Sequence, residues 1–135
     1  MKTTTIRQAV IIPADPEQVY RGFTNPAIHS AMTGGKATGH AEVGAEFTAW
    51  DGYITGRYRR LEPHRRIVMD WLTSEWPEGA RASRLELTLA PAAGGTRVIL
   101  TQTHVPADQA PNYQTGWQES YWEPMAAYFK AQASR

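Results

Sequence analysis

The chain contains no cysteine among its 135 residues. Disulfides, thiol nucleophiles, iron–sulfur clusters and cysteine-ligated zinc are thereby excluded. No apolar run approaches the roughly 18 residues that a membrane-spanning helix needs, so no membrane partner is expected. Residues Met1 to Ile6 hold no hydrophobic signal core, which points to a cytoplasmic rather than a secreted protein. Formal net charge is only +1, too weak a field to suggest nucleic acid. Gly34-Gly35 and Gly94-Gly95 are isolated pairs without phosphate-loop or dinucleotide spacing. The histidines His29, His40, His64 and His104 are spread without metal-ligand spacing, so neither a metal nor a cofactor is expected.

What the chain has in quantity is aromatic side chains: five Trp, six Tyr and three Phe. A chain of this length can bury a core as one domain, residues 1–135, with no internal repeat or linker to divide it. One local run is basic: Arg57, Arg59, Arg60, Arg65 and Arg66 are opposed only by Glu62. This is either a patch for an acidic partner or the solvated outer face of two adjacent strands.

Residues 3–12 read as a strand with Ile6, Val10 and Ile12 on one face. A helix start follows, with Asp15 as cap, Pro16 at the first helical position and Gln18 completing a capping box. Val19, Tyr20 and Phe23 make its buried face. Asn25-Pro26 ends it and opens a second short helix carrying Ile28 and Met32, which Gly34-Gly35 terminates. From residue 36 to 105 the period is two. Ile54, Gly56 and Tyr58 alternate with Thr55, Arg57 and Arg59. Ile67, Met69 and Trp71 alternate with Val68 and Asp70. Leu85, Leu87 and Leu89 are followed by Val98, Leu100 and Gln102 in the same way. Asp51-Gly52 predicts a type I′ hairpin turn. Breaks fall at residues 62–64, 77–79 and 90–95. Helical period returns at the end. Asp108 is a cap candidate, and Tyr113, Trp117, Tyr121, Met125 and Tyr128 form a stripe flanked by Trp122 and Phe129. Pro124 inside this pattern predicts a kink near residues 120–124. The fold class is α+β: an antiparallel sheet of six or seven strands wrapped around one long C-terminal helix, with two short helices after the first strand.

Three stretches carry a resemblance to a known family: "WDGYITGRYRRLEPHRRIVMDW" (50–71), "SEWPEG" (74–79) and "GGTRVILTQTHVPAD…GWQESYWEPMAAYF" (94–129). With "IIPADPEQVYRGFT" (11–24) fitting the opening strand and helix, the chain resembles the activator-of-heat-shock-protein-90-ATPase homologue family. That family lies within the START-like, Bet v-like helix-grip superfamily. The resemblance implies about seven antiparallel strands gripping the last helix, with a cavity between them. It also implies a heat-shock protein 90-type chaperone as a partner and a stress-related setting. The eukaryotic co-chaperone carries a further N-terminal domain that engages the chaperone's middle segment; this chain is expected to be the helix-grip domain alone. The superfamily includes binders of small hydrophobic ligands, polyketide cyclases and oxygenase subunits, and fold does not choose among them.

The candidate ligand-lining residues are Trp50, Met69, Trp71, Trp76, Leu87, Gln102, Trp117, Tyr121 and Met125, with Tyr53 and Trp122 in the wider aromatic set. Such a pocket needs apolar walls and a few orienting polar atoms, for which Gln102 and Tyr121 are the candidates. The same rings would equally serve to fill a core. His104, two residues after Gln102, reads either as a general base at the cavity mouth or as a solvated strand-end residue. Glu119 and Glu123 lie off the helix stripe, and Asp70 is out of step with Met69 and Trp71, so no catalytic residue is assigned. Three functions remain: a non-enzymatic binder of a small hydrophobic or amphipathic ligand, a chaperone-associated interaction domain, and a cyclase-like enzyme needing His104 or Asp70 inside the gap.

Overall fold

A computed structural model describes residues 1–134; Arg135, the last residue of the expected domain, lies outside the described residues. The opening strand β1 (Thr3–Ile12) runs into α1 (Pro16–Thr24) and α2 (Pro26–Thr33). The capping box forms as read: Gln18 N donates to Asp15 Oδ1 at 2.8 Å and Asp15 N donates to Gln18 Oε1 at 3.1 Å. Together these bonds satisfy two amides at a terminus that otherwise has no acceptor for them. Asn25 caps the second helix through its side chain, and Gly34, at φ 87°, closes it. On α2 it is His29 and Met32 that are buried, while Ile28 is only half-buried.

Five strands follow: β2 (Glu46–Ala49), β3 (Ile54–Glu62), β4 (Arg66–Thr73), β5 (Ser83–Ala92) and β6 (Gly95–Pro106). They pair antiparallel with β1 in the order β1-β6-β5-β4-β3-β2. The described sheet therefore has six strands, not seven. The segment that would supply another, residues 36–45, keeps a single bridge, Thr38 to Thr48. Gly39 (φ 125°) and Gly44 (φ 90°), both following Thr38, turn the backbone out of the extended region. The break expected at 90–95 is narrower than its composition suggests. Pairing continues through Pro91 to Ala92, which faces Gly95, so the turn is confined to residues 93–94.

The β2–β3 hairpin turns at Asp51 (φ 59°) and Gly52 (φ 89°), as a type I′ turn requires, and Tyr53 N donates to Trp50 O at 3.1 Å. Trp50 is itself left-handed, at φ 53°. A second irregularity lies on β6. Two residues, Thr103 and His104, face the single Thr5 of β1, and His104 sits at φ 61° with its side chain exposed. This bulge takes His104 off the face that Gln102 occupies, so the two do not share a surface as the alternation implied.

The sheet curves around a helical rod made of α3 (Ala110–Trp117), a π-helical turn (Gln118–Trp122) and α4 (Glu123–Ala133). Gln109, not Asp108, is the capping residue, and it gives no side-chain cap bond. The π turn falls where Pro124 predicts a distortion. Glu123 N–H reaches back to Gln118 O, and α-helical pairing resumes with Pro124 in the first turn, where its missing amide is harmless. The extra residue moves the buried face by one position. Tyr113 and Trp117 are buried before the turn, Tyr121 and Trp122 within it, and Met125 and Phe129 after it, leaving Tyr128 half-buried. No described helix is long and apolar enough to cross a membrane.

Candidate functional site

The interior between sheet and rod is filled. The void remaining there is about 20 Å³, room for about one water, and is bounded by His29, Met69, Trp71, Trp117 and Tyr121 among others. Leu87 and Met125 are fully buried and contribute packing alone. Trp76 packs edge-on against Trp71 and donates its indole N–H to Arg81 O at 2.9 Å. Gln102, expected to orient a ligand, is fully buried and committed elsewhere. Its Oε1 accepts from Trp117 Nε1 at 3.0 Å and its Nε2 donates to Ser83 Oγ at 3.0 Å, which in turn donates to Trp71 O at 2.6 Å. This chain of bonds ties the rod to β4, β5 and β6, and a buried amide so engaged has little left for a ligand.

A space larger than this void opens beside the β2–β3 hairpin. A cleft of about 350 Å³ runs between the β2–β3 hairpin and the rod. The hairpin contributes Trp50, Tyr53 and Ile54. Trp71 comes from β4, and the rod supplies Tyr113, Gly116, Trp117, Ser120 and Tyr121. Four of the nine expected residues, Trp50, Trp71, Trp117 and Tyr121, therefore meet in one place. Met69 reaches only the small void, and Trp76, Leu87, Gln102 and Met125 line neither space. Ile54, Tyr113, Gly116 and Ser120 were not singled out as site residues. For Gly116 a signal existed, since a glycine inside a helical pattern lowers helix stability and asks for a reason. Apart from its chain neighbours and the helix's own backbone, no heavy atom lies within 4 Å of the position a Cβ would take there, so the reason is not close packing against another part of the protein. Ser120 and Tyr121 belong to the π turn, a feature frequent at functional sites.

The polar atoms around the cleft are mostly spoken for. Tyr113 Oη donates to Gln109 Oε1 at 2.7 Å and meets Thr73 Oγ1 at 2.7 Å. Tyr53 donates to the Glu75 carboxylate, and burial together with that bond pushes its phenol up to about 12. Tyr121 Oη lies 3.1 Å from His29 Nε2, while His29 Nδ1 lies 3.4 Å from Phe23 O. Because a carbonyl only accepts, Nδ1 carries the hydrogen and Nε2 accepts from Tyr121. Burial lowers the His29 pKa, the Phe23 carbonyl opposing in part, which keeps the ring neutral. Burial also pushes the Tyr121 phenol well above its ordinary range, tempered by the Trp50 indole N–H beside it. That N–H is buried but does not reach hydrogen-bonding geometry with any partner.

Neither titratable residue of the enzymatic reading reaches this space. His104 is exposed on its bulge. Asp70 faces outward, where its carboxylate accepts from Arg59 Nε at 2.7 Å and meets Arg84 Nε at 3.3 Å. The arginine run likewise lies on the outer face, partnered by carboxylates: Arg57 with Glu46, Arg60 and Arg65 with Glu62, and Arg66 with Glu86. These exposed pairs are solvated decoration and contribute little to stability. Glu119 and Glu123 are both exposed. Among the described residues no cluster of three or more His, Asp or Glu is placed to hold a metal ion.

Comparison with known proteins adds the lineage. The family described as "Activator of Hsp90 ATPase homolog 1-like protein" matches residues 13–130. The human activator of 90 kDa heat shock protein ATPase homolog 1 is 34% identical over 114 residues, which is 84% of this chain and 33% of that protein. Mouse homolog 2 is 31% identical over 121 residues, 90% of this chain and 36% of its own length. The chain thus spans about a third of the curated relatives it matches. Among solved structures, an HSP90 activator from Plasmodium falciparum superposes with a TM-score of 0.81 at 19% identity, over 95% of this chain and 96% of the other, which establishes the helix-grip fold. On the match over residues 13–130, the chain belongs to the activator of Hsp90 ATPase homolog 1-like family.

Proposed function

We propose that this chain is a non-enzymatic binding domain that takes a small hydrophobic or amphipathic molecule in the open cleft between the β2–β3 hairpin and the C-terminal rod. The observation that carries this reading is the cleft itself, about 350 Å³ and walled by aromatic rings, beside an interior with room for little more than a water. Ligand sites of small molecules start at about 300 Å³ and combine apolar walls with few polar atoms. Burying about 200 Å² of apolar ligand surface would contribute about 5 kcal/mol before association costs. Titration with 8-anilinonaphthalene-1-sulfonate tests it. The dye's fluorescence is expected to rise with micromolar protein, with amide shifts concentrated at Trp50, Tyr113 and Trp117. Gly116→Phe, which places a ring in the cleft, is expected to abolish both. Dye binding that leaves those amides unmoved, or survives in Gly116→Phe, overturns the reading.

A second reading rests on family membership. The human relative's name assigns it to the ATPase of the 90 kDa heat shock protein, and the region matched here is a third of that relative. In this reading the domain docks on a chaperone of that type, in a stress-related, cytoplasmic setting. An ATPase assay and pull-down with such a chaperone are expected to show binding at micromolar concentration. No interaction in either excludes it.

A further inference from the structure

Six of the nine residues that line the cleft are aromatic: Trp50, Tyr53, Trp71, Tyr113, Trp117 and Tyr121. Aliphatic side chains would make an apolar wall as well, and only Ile54 does so here. An aromatic ring differs from an aliphatic wall in its charge distribution, with a negative face and a positive edge. The rings do not form one flat surface. Trp71 and Tyr113 stand at 85°, Trp71 and Trp117 at 37°, and Trp117 and Tyr121 at 43°, with centroids 4.8–5.6 Å apart. These four are buried and form the floor, while the hairpin supplies the open rings: Trp50 is half-buried and Tyr53 is 36% exposed.

The charge around the cleft has one sign. No lysine, arginine or histidine lines it. The Glu75 carboxylate sits at the hydroxyl end of Tyr53, which donates to it. Burial pushes the Tyr113 phenol up; a bond to Thr73 opposes this, and the carboxylates of Glu75 and Asp108 add to it, so both charges are felt at that end of the cleft. The carboxylates of the outer sheet face are paired with arginines, but among the described residues neither Glu75 nor Asp108 is in an ion pair.

We infer that the cleft selects an organic cation: a free small molecule carrying a quaternary or otherwise alkylated ammonium on an apolar body. Ring faces attract such a cation within about 6 Å of their centroids. The unpaired carboxylates at the rim add attraction over a longer range. Neutral and anionic bodies are held by apolar burial alone, so the positive charge adds selectivity to the binding proposed above and does not replace it. The molecule is taken from solution, since the filled interior beside the cleft leaves no room for the acyl chains of a lipid. This inference rests on the cleft reading and adds the ligand's chemical class to it.

The test uses two probes of one shape, 3-(trimethylammonio)phenol and 3-tert-butylphenol, titrated below pH 7 into the whole chain labelled with ¹⁵N. They differ by one atom, a charged nitrogen in place of a carbon. A cleft that offered apolar burial alone would prefer the neutral probe, because a charge is the costlier group to strip of water. The cation is instead expected to bind about tenfold tighter. Tyr53→Leu keeps an apolar side chain and removes the ring; it is expected to weaken the cation about threefold or more and leave the neutral probe within about twofold. Tyr53→Phe, which keeps the ring, is expected to retain the preference. Equal or tighter binding of the neutral probe, or a preference unchanged in Tyr53→Leu, overturns the inference and leaves the cleft standing. Co-sedimentation of the chain with phosphatidylcholine vesicles overturns the assignment to a free molecule. If neither probe moves the cleft amides, the cleft reading falls, and this inference with it.

Discussion

Two glycines in this fold are expected to respond to alanine in opposite directions, and the contrast tests how the cleft is built. Gly116 lies inside the C-terminal rod, with helical neighbours on both sides. Replacing a helix-interior glycine by alanine gains about 1 kcal/mol, because the glycine loses more backbone freedom on folding. At Gly116 no packing offsets that gain, since apart from its chain neighbours and the helix's own backbone no heavy atom lies within 4 Å of the new methyl group. Gly116→Ala is therefore expected to raise Tm by about 4 °C in a chain of this size. At Gly56 the same methyl would lie 2.0 Å from Asp70 O and 2.4 Å from Phe47 Cζ. The carbonyl belongs to the neighbouring strand β4, which pairs with β3 on this side, so relief would disturb that pairing. Overpacking of this kind costs about 3 kcal/mol or more. Thermal and urea unfolding of both variants supplies the measurement. A Gly116→Ala protein less stable than its parent would mean that the space beside the rod is not open, and the argument for a cleft there would fail.

The π turn makes a second prediction. Phe129→Ala is expected to cost about 3–5 kcal/mol in urea unfolding and Tyr128→Ala less than half of that, because the extra residue buries position 129 rather than 128; equal costs would count against the π turn. His29 makes a third. Its folded pKa lies below the ordinary 6.5, so between those values the unfolded chain binds more protons. Stability is then full above pH 6.5 and is lost as pH falls through that window toward the folded pKa. His29→Gln is expected to flatten this slope in urea midpoints taken from pH 7.5 to 5.5, and a slope unchanged by the substitution would show that another group sets it.

Local signals in the sequence reached the elements whose causes are local. The capping box at Asp15 and Gln18, the helix stop at Gly34 and the alternation of Leu85, Leu87 and Leu89 each depend on residues a few positions apart, and each has its structural counterpart. The missing strand, the position of His104 and the face of α2 depend on backbone geometry that alternation does not encode. His104 at φ 61° holds a conformation that glycine adopts freely, and nothing in the alternation marks it. The site was legible only in part. The aromatic residues could be named, but whether a ring fills or lines depends on partners far away in the chain. Gln102 is occupied because Ser83 and Trp117 converge on it, and Tyr121 because His29, 92 residues earlier, reaches it. No spacing rule announces such meetings.

The π turn also bears on how this chain should be set beside others. It holds one residue more than regular α winding over the same length, and the faces on either side continue as though that residue were absent. A relative whose last helix winds uniformly would match this one only with a one-residue gap placed between Gln118 and Trp122. An ungapped alignment would equate Tyr128 with a core position that Phe129 in fact fills, and would shift Met125 by the same step. Residues on the cleft side before the turn, Tyr113, Gly116 and Trp117, would still be matched correctly. Transfer of site residues between such proteins is therefore sound up to Trp117 and offset by one beyond Trp122.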